Sequence, residues 1–213
     1  MNERKVLFGS HNSMSYLRPN FKGFRWMFWP IIMPVYYIGV RCQNKTIDEQ
    51  LKKGVRVFDL RIYSQRKDDG LYNWVFAHGI TQFNTDTKAY NIIKQLHTWS
   101  VEHNEPIYIR IILEQCKDIT DEIGFIEFCS TVQKEFGDRI EFFGGNLRST
   151  WEKIFIFDKK TLDFNDINNN QWVSSMAKDA RWYEKICPYL YAKRMNEENL
   201  KKMDYLTNLY DFL

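Results

Sequence analysis

One segment limits the fold of this chain more than any other. In Gly54-Val55-Arg56-Val57-Phe58-Asp59-Leu60-Arg61 an aspartate and an arginine stand two residues apart inside an otherwise apolar run. Residues two apart in a strand point to one face. Val57, Asp59 and Arg61 therefore share a face, and Phe58, Leu60 and Ile62 take the other. A strand with this division is seldom only structural. Two further segments flank it in the sequence, Gly9-Ser10-His11-Asn12-Ser13 and Phe76-Ala77-His78-Gly79. Each places a histidine beside a small or turn-forming residue at the end of a strand candidate. Two histidines, an arginine and a carboxylate are the parts that move a phosphodiester: a base, an acid, a charge clamp and an orienter.

The rest of the chain alternates strand and helix patterns. Strands are expected at Val6–Ser10, Val55–Tyr63, Trp74–His78, Ile107–Glu114, Ile140–Phe143, Lys153–Phe157 and Leu206–Phe212. Gln65–Gly70 reads as a charged turn. Helices are expected at Thr46–Lys53, at Lys88–Glu102 with Tyr90, Ile93, Leu96 and Trp99 inward, and at Thr120–Phe136 with Phe125, Phe128, Val132 and Phe136 on one face. Short helical pieces are expected at Arg181–Ile186 and Glu197–Met203. Thr161–Gln171, rich in Asn and Asp, reads as a loop. Alternating elements argue for an α/β chain with parallel strands, and about eight strand candidates suggest a closed barrel, whose site lies at the C-terminal strand ends. His11, Asp59, Arg61, His78, Glu114 and Asp211 all fall late in, or just after, a strand candidate. With 213 residues and no repeat or linker, residues 1–213 are expected to form a single domain.

Bulk properties narrow the function. A net charge of +3 is too small to argue for nucleic acid, and the chain is expected to be a monomer. Cys42, Cys116, Cys129 and Cys187 form no CxxC pair, so reduced thiols are expected rather than a disulfide framework or a zinc site. Trp26–Val40 has no charge and is bracketed by Arg25 and Arg41. It is shorter than the ~20 residues that span a bilayer and is interrupted by Pro30 and Pro34. It does not read as a signal peptide either. No signal peptide and no transmembrane helix point to a cytoplasmic or peripheral membrane location. Two readings of the stretch stay open: a buried cover for the barrel, or an interfacial anchor in which Trp26, Phe28 and Trp29 enter the headgroup boundary.

At the two histidine segments and the Asp-x-Arg strand the chain resembles the catalytic domain of phosphatidylinositol-specific phospholipases C, the bacterial kind more than the eukaryotic. That family carries a histidine in a Gly-Thr/Ser-His-Asp/Asn-Ser segment, a Gly-x-Arg-x-x-Asp-x-Arg strand and a second histidine before glycine. The matching positions are His11, then Asp59 with Arg61, then His78. Trp151-Glu152-Lys153-Ile154, Cys187-Pro188-Tyr189-Leu190-Tyr191 and Leu209-Tyr210-Asp211-Phe212 are similar to later segments of the family, so the resemblance runs through nearly the whole chain.

The resemblance implies a distorted (β/α)8 barrel of the triosephosphate isomerase type, some of its helices short or missing. It implies cleavage of phosphatidylinositol or a related phospholipid to diacylglycerol and a cyclic or opened phosphorylated headgroup, at peripheral membrane contact. By the same resemblance His11 is the base, Asp211 orients it, Arg61 with Asn12 binds the phosphate, and His78 with Asp59 supplies the acid. Lys159 and Glu114 would contact the headgroup. Position 61 is acidic and calcium-binding in the eukaryotic enzymes; Arg61 already brings the positive charge, so no metal and no other cofactor is expected. Asn12 stands where many bacterial members have aspartate. The segment between His11 and Asp59 is longer than in the family and that between Asp158 and Ile186 shorter. The alternatives are a metal-dependent glycerophosphodiester or sphingolipid phosphodiesterase on the same fold, and a non-catalytic barrel used as an interaction module. At single residues the plainer readings are a turn-capping His11, a loop His78 and a structural Asp59–Arg61 ion pair.

Overall fold

The computed structural model describes residues 7–20, 30, 41–66, 72–79, 81–83, 86–115, 118–147, 153–155, 167–169, 181–186, 190–194, 197 and 207–210. The elements in chain order are β1 (Leu7–Ser10), α1 (Ile47–Lys52), β2 (Val57–Arg66), β3 (Tyr72–His78), β4 (Thr81–Gln82), α2 (Ala89–His103), β5 (Ile107–Gln115), α3 (Ile119–Phe136), β6 (Ile140–Leu147), β7 (Lys153–Phe155), β8 (Ile167–Asn169), α4 (Trp182–Ile186) and β9 (Thr207–Tyr210). Among the described residues no helix is long and apolar enough to cross a membrane.

The described strands form one sheet in the order β7-β6-β5-β2-β1-β9-β8, and β3 branches from β2 and carries β4. The chain is thus mixed α/β around a central sheet, which the described strands leave open between β7 and β8. From β6 through β5, β2, β1 and β9 to β8 every pairing is parallel. The expectation of parallel strands throughout is corrected at three places: β2–β3, β3–β4 and β6–β7 are antiparallel. Loop length is the reason. Only residues 67–71 join β2 to β3, and only 148–152 join β6 to β7. A parallel crossover needs a dozen or more residues, whereas a hairpin does not. The outer half of β2 accordingly extends through Gln65 and Arg66, where the sequence reads as a turn.

β8 is a second correction. Ile167–Asn169 lies inside the Asn-rich stretch read as a loop, yet it pairs in parallel with Thr207–Leu209 of β9. Asparagine disfavours strands, but strand propensity yields to pairing context.

The two faces of β2 and β5 part as the alternation requires. Phe58, Leu60 and Ile62 of β2 join Ile107, Ile109, Ile111 and Leu113 of β5 in one buried cluster with Ile93 and Leu96 of α2 and Phe125, Val132 and Phe136 of α3. Burying each such side chain contributes about 1.5–3 kcal/mol, so this layer holds the helices on the sheet. Tyr90, Trp99 and Phe128 pack only partly buried against it. Tyr90 instead donates its hydroxyl to Glu135, and the Arg56 guanidinium lies 4.3 Å over the Trp99 ring. The opposite face of β2 and β5 carries Asp59, Arg61, Arg110 and Glu114, all buried.

Side-chain caps fix two helix starts. Thr46 and Glu49 form a reciprocal capping box on α1, and Asp118 accepts from the N–H groups of Thr120 and Asp121 on α3. Such caps contribute about 1 kcal/mol each. Cys42 and Cys129 are buried and reduced, and burial pushes the Cys129 thiol up.

Candidate active site

The site is assembled on the turn that follows β1. Residues His11 to Ser15 are all buried. A buried turn needs partners for its backbone, and strand β2 supplies them. The Ser13 N–H donates to the Asp59 carbonyl at 2.9 Å, and the Asp59 N–H donates to Ser13 Oγ at 3.0 Å. The Asn12 N–H donates to Asp59 Oδ2 at 3.0 Å. Gln43 and Gln50 close the other side, donating to the carbonyls of His11 (3.0 Å) and Ser13 (2.8 Å). Asn12 sits in the left-handed region with φ 43, a conformation asparagine tolerates better than most residues.

Arg61 is the hub. It is 1% exposed and Asp59 is 0% exposed. Its Nε donates to Asp59 Oδ2 at 3.0 Å, its Nη2 lies 2.6 Å from His11 Nε2, and its Nη1 lies 3.5 Å from Glu114 Oε1. Arginine can only donate, so His11 Nε2 is the acceptor in this contact and the ring proton sits on Nδ1. Asp59 Oδ2 lies 3.8 Å from the same nitrogen, beyond hydrogen-bond reach. On the neighbouring strand Arg110 Nη1 stands 3.9 Å from Asp59 Oδ1, consistent with the register that sets Arg110 beside Asp59.

These charges shape one another. Burial alone would push the Asp59 carboxyl up; the positive charge of Arg61 and Arg110, with the Asn12 N–H, outweighs it and holds Asp59 well below the usual carboxylate range. Burial works against the Arg61 cation as well, but Asp59 and Glu114 override it and raise the guanidinium above its ordinary value.

His78 ends β3. Its ring meets the ring of His11 edge to face, with centroids 6.1 Å apart. Gly79 follows with φ 58, the left-handed geometry glycine adopts readily, and the chain turns at once into β4. The Gly79 N–H donates to Glu114 Oε1 at 2.7 Å, which ties the β3–β4 turn to the end of β5. Cys42 Sγ lies 3.9 Å from His78 Nδ1.

The structure therefore brings together His11, Asn12, Asp59, Arg61, His78 and Glu114. Lys159 and Asp211 lie outside the described residues, as do Trp26, Phe28 and Trp29 and all of the Trp26–Val40 stretch except Pro30. Three nearby residues were not foreseen: Arg110, whose parity with Glu114 on β5 is visible in the sequence, and Cys42 and Gln43, which carry no local signal. The Asn12 side-chain amide is fully buried, and neither its oxygen nor its nitrogen has a hydrogen-bond partner among the described residues. Leaving a buried amide unmatched costs about 1–3 kcal/mol. Among the described residues no three His, Cys, Asp or Glu side chains converge as a metal site would require.

The fold is one shared with bacterial phosphatidylinositol-specific phospholipases C. A structure of the Staphylococcus aureus enzyme, solved in connection with its membrane binding, superposes with a TM-score of 0.62 at 15% identity over 100% of this chain and 89% of that one. A double mutant of the S. aureus enzyme gives 0.57 at 15% identity over 98% and 86%. The Listeria monocytogenes enzyme gives 0.51 at 14% identity over 98% and 88%. At these identities the likeness is one of fold. No family model matches the sequence, and no curated protein matches it.

Proposed function

We propose that this chain is a phosphodiesterase that cleaves phosphatidylinositol or a related phospholipid between phosphate and diacylglycerol, by attack of a hydroxyl adjacent to the phosphate. The observation that carries the reading is the constellation itself: two histidine rings edge to face, an arginine fork beside one of them, and an asparagine amide without a partner among the described residues in the same turn. The fold shared with enzymes of that activity supports it.

In this reading Arg61 links binding to base activation. The lone pair of His11 Nε2 is taken up by Arg61 Nη2. A phosphodiester draws the guanidinium fork toward its oxygens, and that releases the lone pair for the attacking hydroxyl's proton. The oxygen bonds to phosphorus, the phosphorus–glycerol oxygen bond breaks, and His78 Nε2 protonates the leaving oxygen. The Asn12 amide donates to the phosphate and so gains the partner it lacks. Tyr210 pairs with Ser10, and Asp211 and His11 are the residues that follow them in the sequence, which suits Asp211 as the orienter of His11. Asp59 keeps Arg61 in place. Glu114 and Lys159 contact the headgroup, and Arg61 supplies the charge a divalent cation would otherwise bring. Residues 1–213 act as one domain, and the strands close into a distorted barrel.

The test is turnover on a panel of phosphodiester lipids, with and without chelator, for the natural sequence, His11→Ala and His78→Ala. Each alanine variant is expected to lose about 10²–10⁴-fold in rate while keeping its thermal stability, and chelator is expected to change nothing. Near-native turnover in either variant overturns the assignment. Loss of activity with chelator, restored by calcium, moves the protein to metal-dependent chemistry.

A further inference from the structure

We propose that Cys42 is a positioning residue for His78, holding the imidazole through Nδ1 so that Nε2 faces the leaving oxygen; the catalytic half of this inference rests on the phosphodiesterase reading. The sulfur lies 3.9 Å from His78 Nδ1, and Cys42 is 7% exposed. An imidazole that serves as an acid through one nitrogen must be held through the other, and here the thiol side chain stands at the held nitrogen.

Cys42 is itself fixed. Its N–H and that of Gln43 both donate to Ser15 Oγ, at 2.9 and 2.8 Å, and Gln43 Nε2 donates to the His11 carbonyl at 3.0 Å. The Arg41 side chain donates to the Gln43 carbonyl. The backbone carrying Cys42 is thus hydrogen-bonded to the turn carrying His11. One unit spans the two histidines: the turn presents His11, and through Ser15 and Cys42 it also reaches His78. Residues 11 and 42 are far apart in sequence, so this coupling exists only in the fold.

The surrounding charges favour an ion pair between the two groups. Transfer of one proton from Sγ to Nδ1 converts thiol and neutral imidazole into thiolate and imidazolium, which is the state an acid at His78 requires. Arg61 on β2 acts on Cys42 electrostatically, each charge favouring the other. Among the described residues the His11 ring meets His78, Glu114 holds the Gly79 N–H next to it, Asp59 pairs with Arg61, and Arg41 precedes Cys42 in the chain. After His78 Nε2 gives its proton to the leaving oxygen, the ring is neutral and Nδ1–H still donates to the thiolate, so the ring does not turn.

Two measurements on the intact chain test this. The first needs no turnover: the thiolate's ultraviolet absorbance is followed against pH as the difference between the protein and Cys42→Ser, in the natural background and with His78→Ala. The titration is expected to move to higher pH when His78 is removed, because the imidazolium no longer stabilises the thiolate. A titration unchanged or shifted lower overturns the pairing. The second compares pH–rate profiles. Cys42→Ala is expected to lower kcat by about 10- to 100-fold with KM little changed and to displace the limb that belongs to the acid, at an unchanged melting temperature. Native kcat and an unshifted limb overturn the positioning role. Should Cys42→Ala fold poorly, the closer-sized Cys42→Ser is read in its place, with the same expected displacement. If the protein turns over no lipid, the first measurement still decides the pair, so failure of the lipid reading and failure of this inference are distinguishable.

Discussion

Replacing Arg61 with methionine should unfold this protein more readily than almost any other single change. The side chain is 1% exposed and lies between two carboxylates, Asp59 and Glu114, of which Asp59 is 0% exposed. Methionine fills most of the arginine's volume, so the loss is one of charge rather than packing. The variant leaves both carboxylates buried with Arg110, 3.9 Å from Asp59, as the nearest described cation to balance them. Breaking a buried ion pair by removing one partner costs about 3–5 kcal/mol. With a urea dependence of about 2 kcal/mol per molar, a loss of about 4 kcal/mol lowers the unfolding midpoint by about 2 M. The companion double variant, Asp59→Asn with Arg61→Met, leaves Arg110 and Glu114, one charge of each sign. It should therefore be more stable than the sum of its single variants implies, by about 1–3 kcal/mol. Equilibrium urea unfolding followed by tryptophan fluorescence measures all four proteins. A midpoint for Arg61→Met within about 0.5 M of the natural protein, or strict additivity in the cycle, would refute the view that these charges stabilise one another.

Asp59 also sets the response to acid. Its carboxyl is held below the ordinary value of 3.8, so the stability it contributes is complete above that value and is lost as pH falls through the depressed one; Asp59→Asn should flatten the acid limb of melting temperature against pH. Arg61→Lys should lower turnover about 100-fold even where it folds, since an ammonium cannot present a fork to two phosphoryl oxygens; lipid turnover at matched melting temperature checks it. Replacing Trp26, Phe28 and Trp29 together by alanine should weaken co-sedimentation with phospholipid vesicles and spare turnover of a short-chain soluble substrate; equal loss of both assigns the stretch to the core.

What could be read from the sequence was what one strand or one turn determines. The alternation Phe58-Asp59-Leu60-Arg61 carries its own face assignment, and the structure sends the two sets to opposite sides of β2. The helices at Ala89–His103 and Ile119–Phe136 follow their apolar spacing to within a residue or so at each end. Pairing direction was missed at β3 and β7, although the few residues available for each connection contained the answer. Asn-rich β8 was missed because its strand state is imposed by β9. Cys42 was invisible for a different reason, and Arg110 showed only its parity with Glu114. Their meaning lies in contacts with His78 and Asp59, residues on other elements, and no spacing in the chain announces those contacts.

The charges of the site bear on the roles proposed for its two histidines. Asp59 and Glu114 balance Arg61 and Arg110, so a bound phosphodiester adds one negative charge that this set of four does not meet. His11 Nε2 faces the Arg61 guanidinium at 2.6 Å, and a proton placed on that nitrogen would stand against a cation. His78 has Cys42 at Nδ1 and, across the Gly79 turn, the Glu114 carboxylate, both of which favour a positive ring. These surroundings suit the roles proposed for the two rings, His11 as base and His78 as acid, with Arg61 proposed to clamp the phosphate.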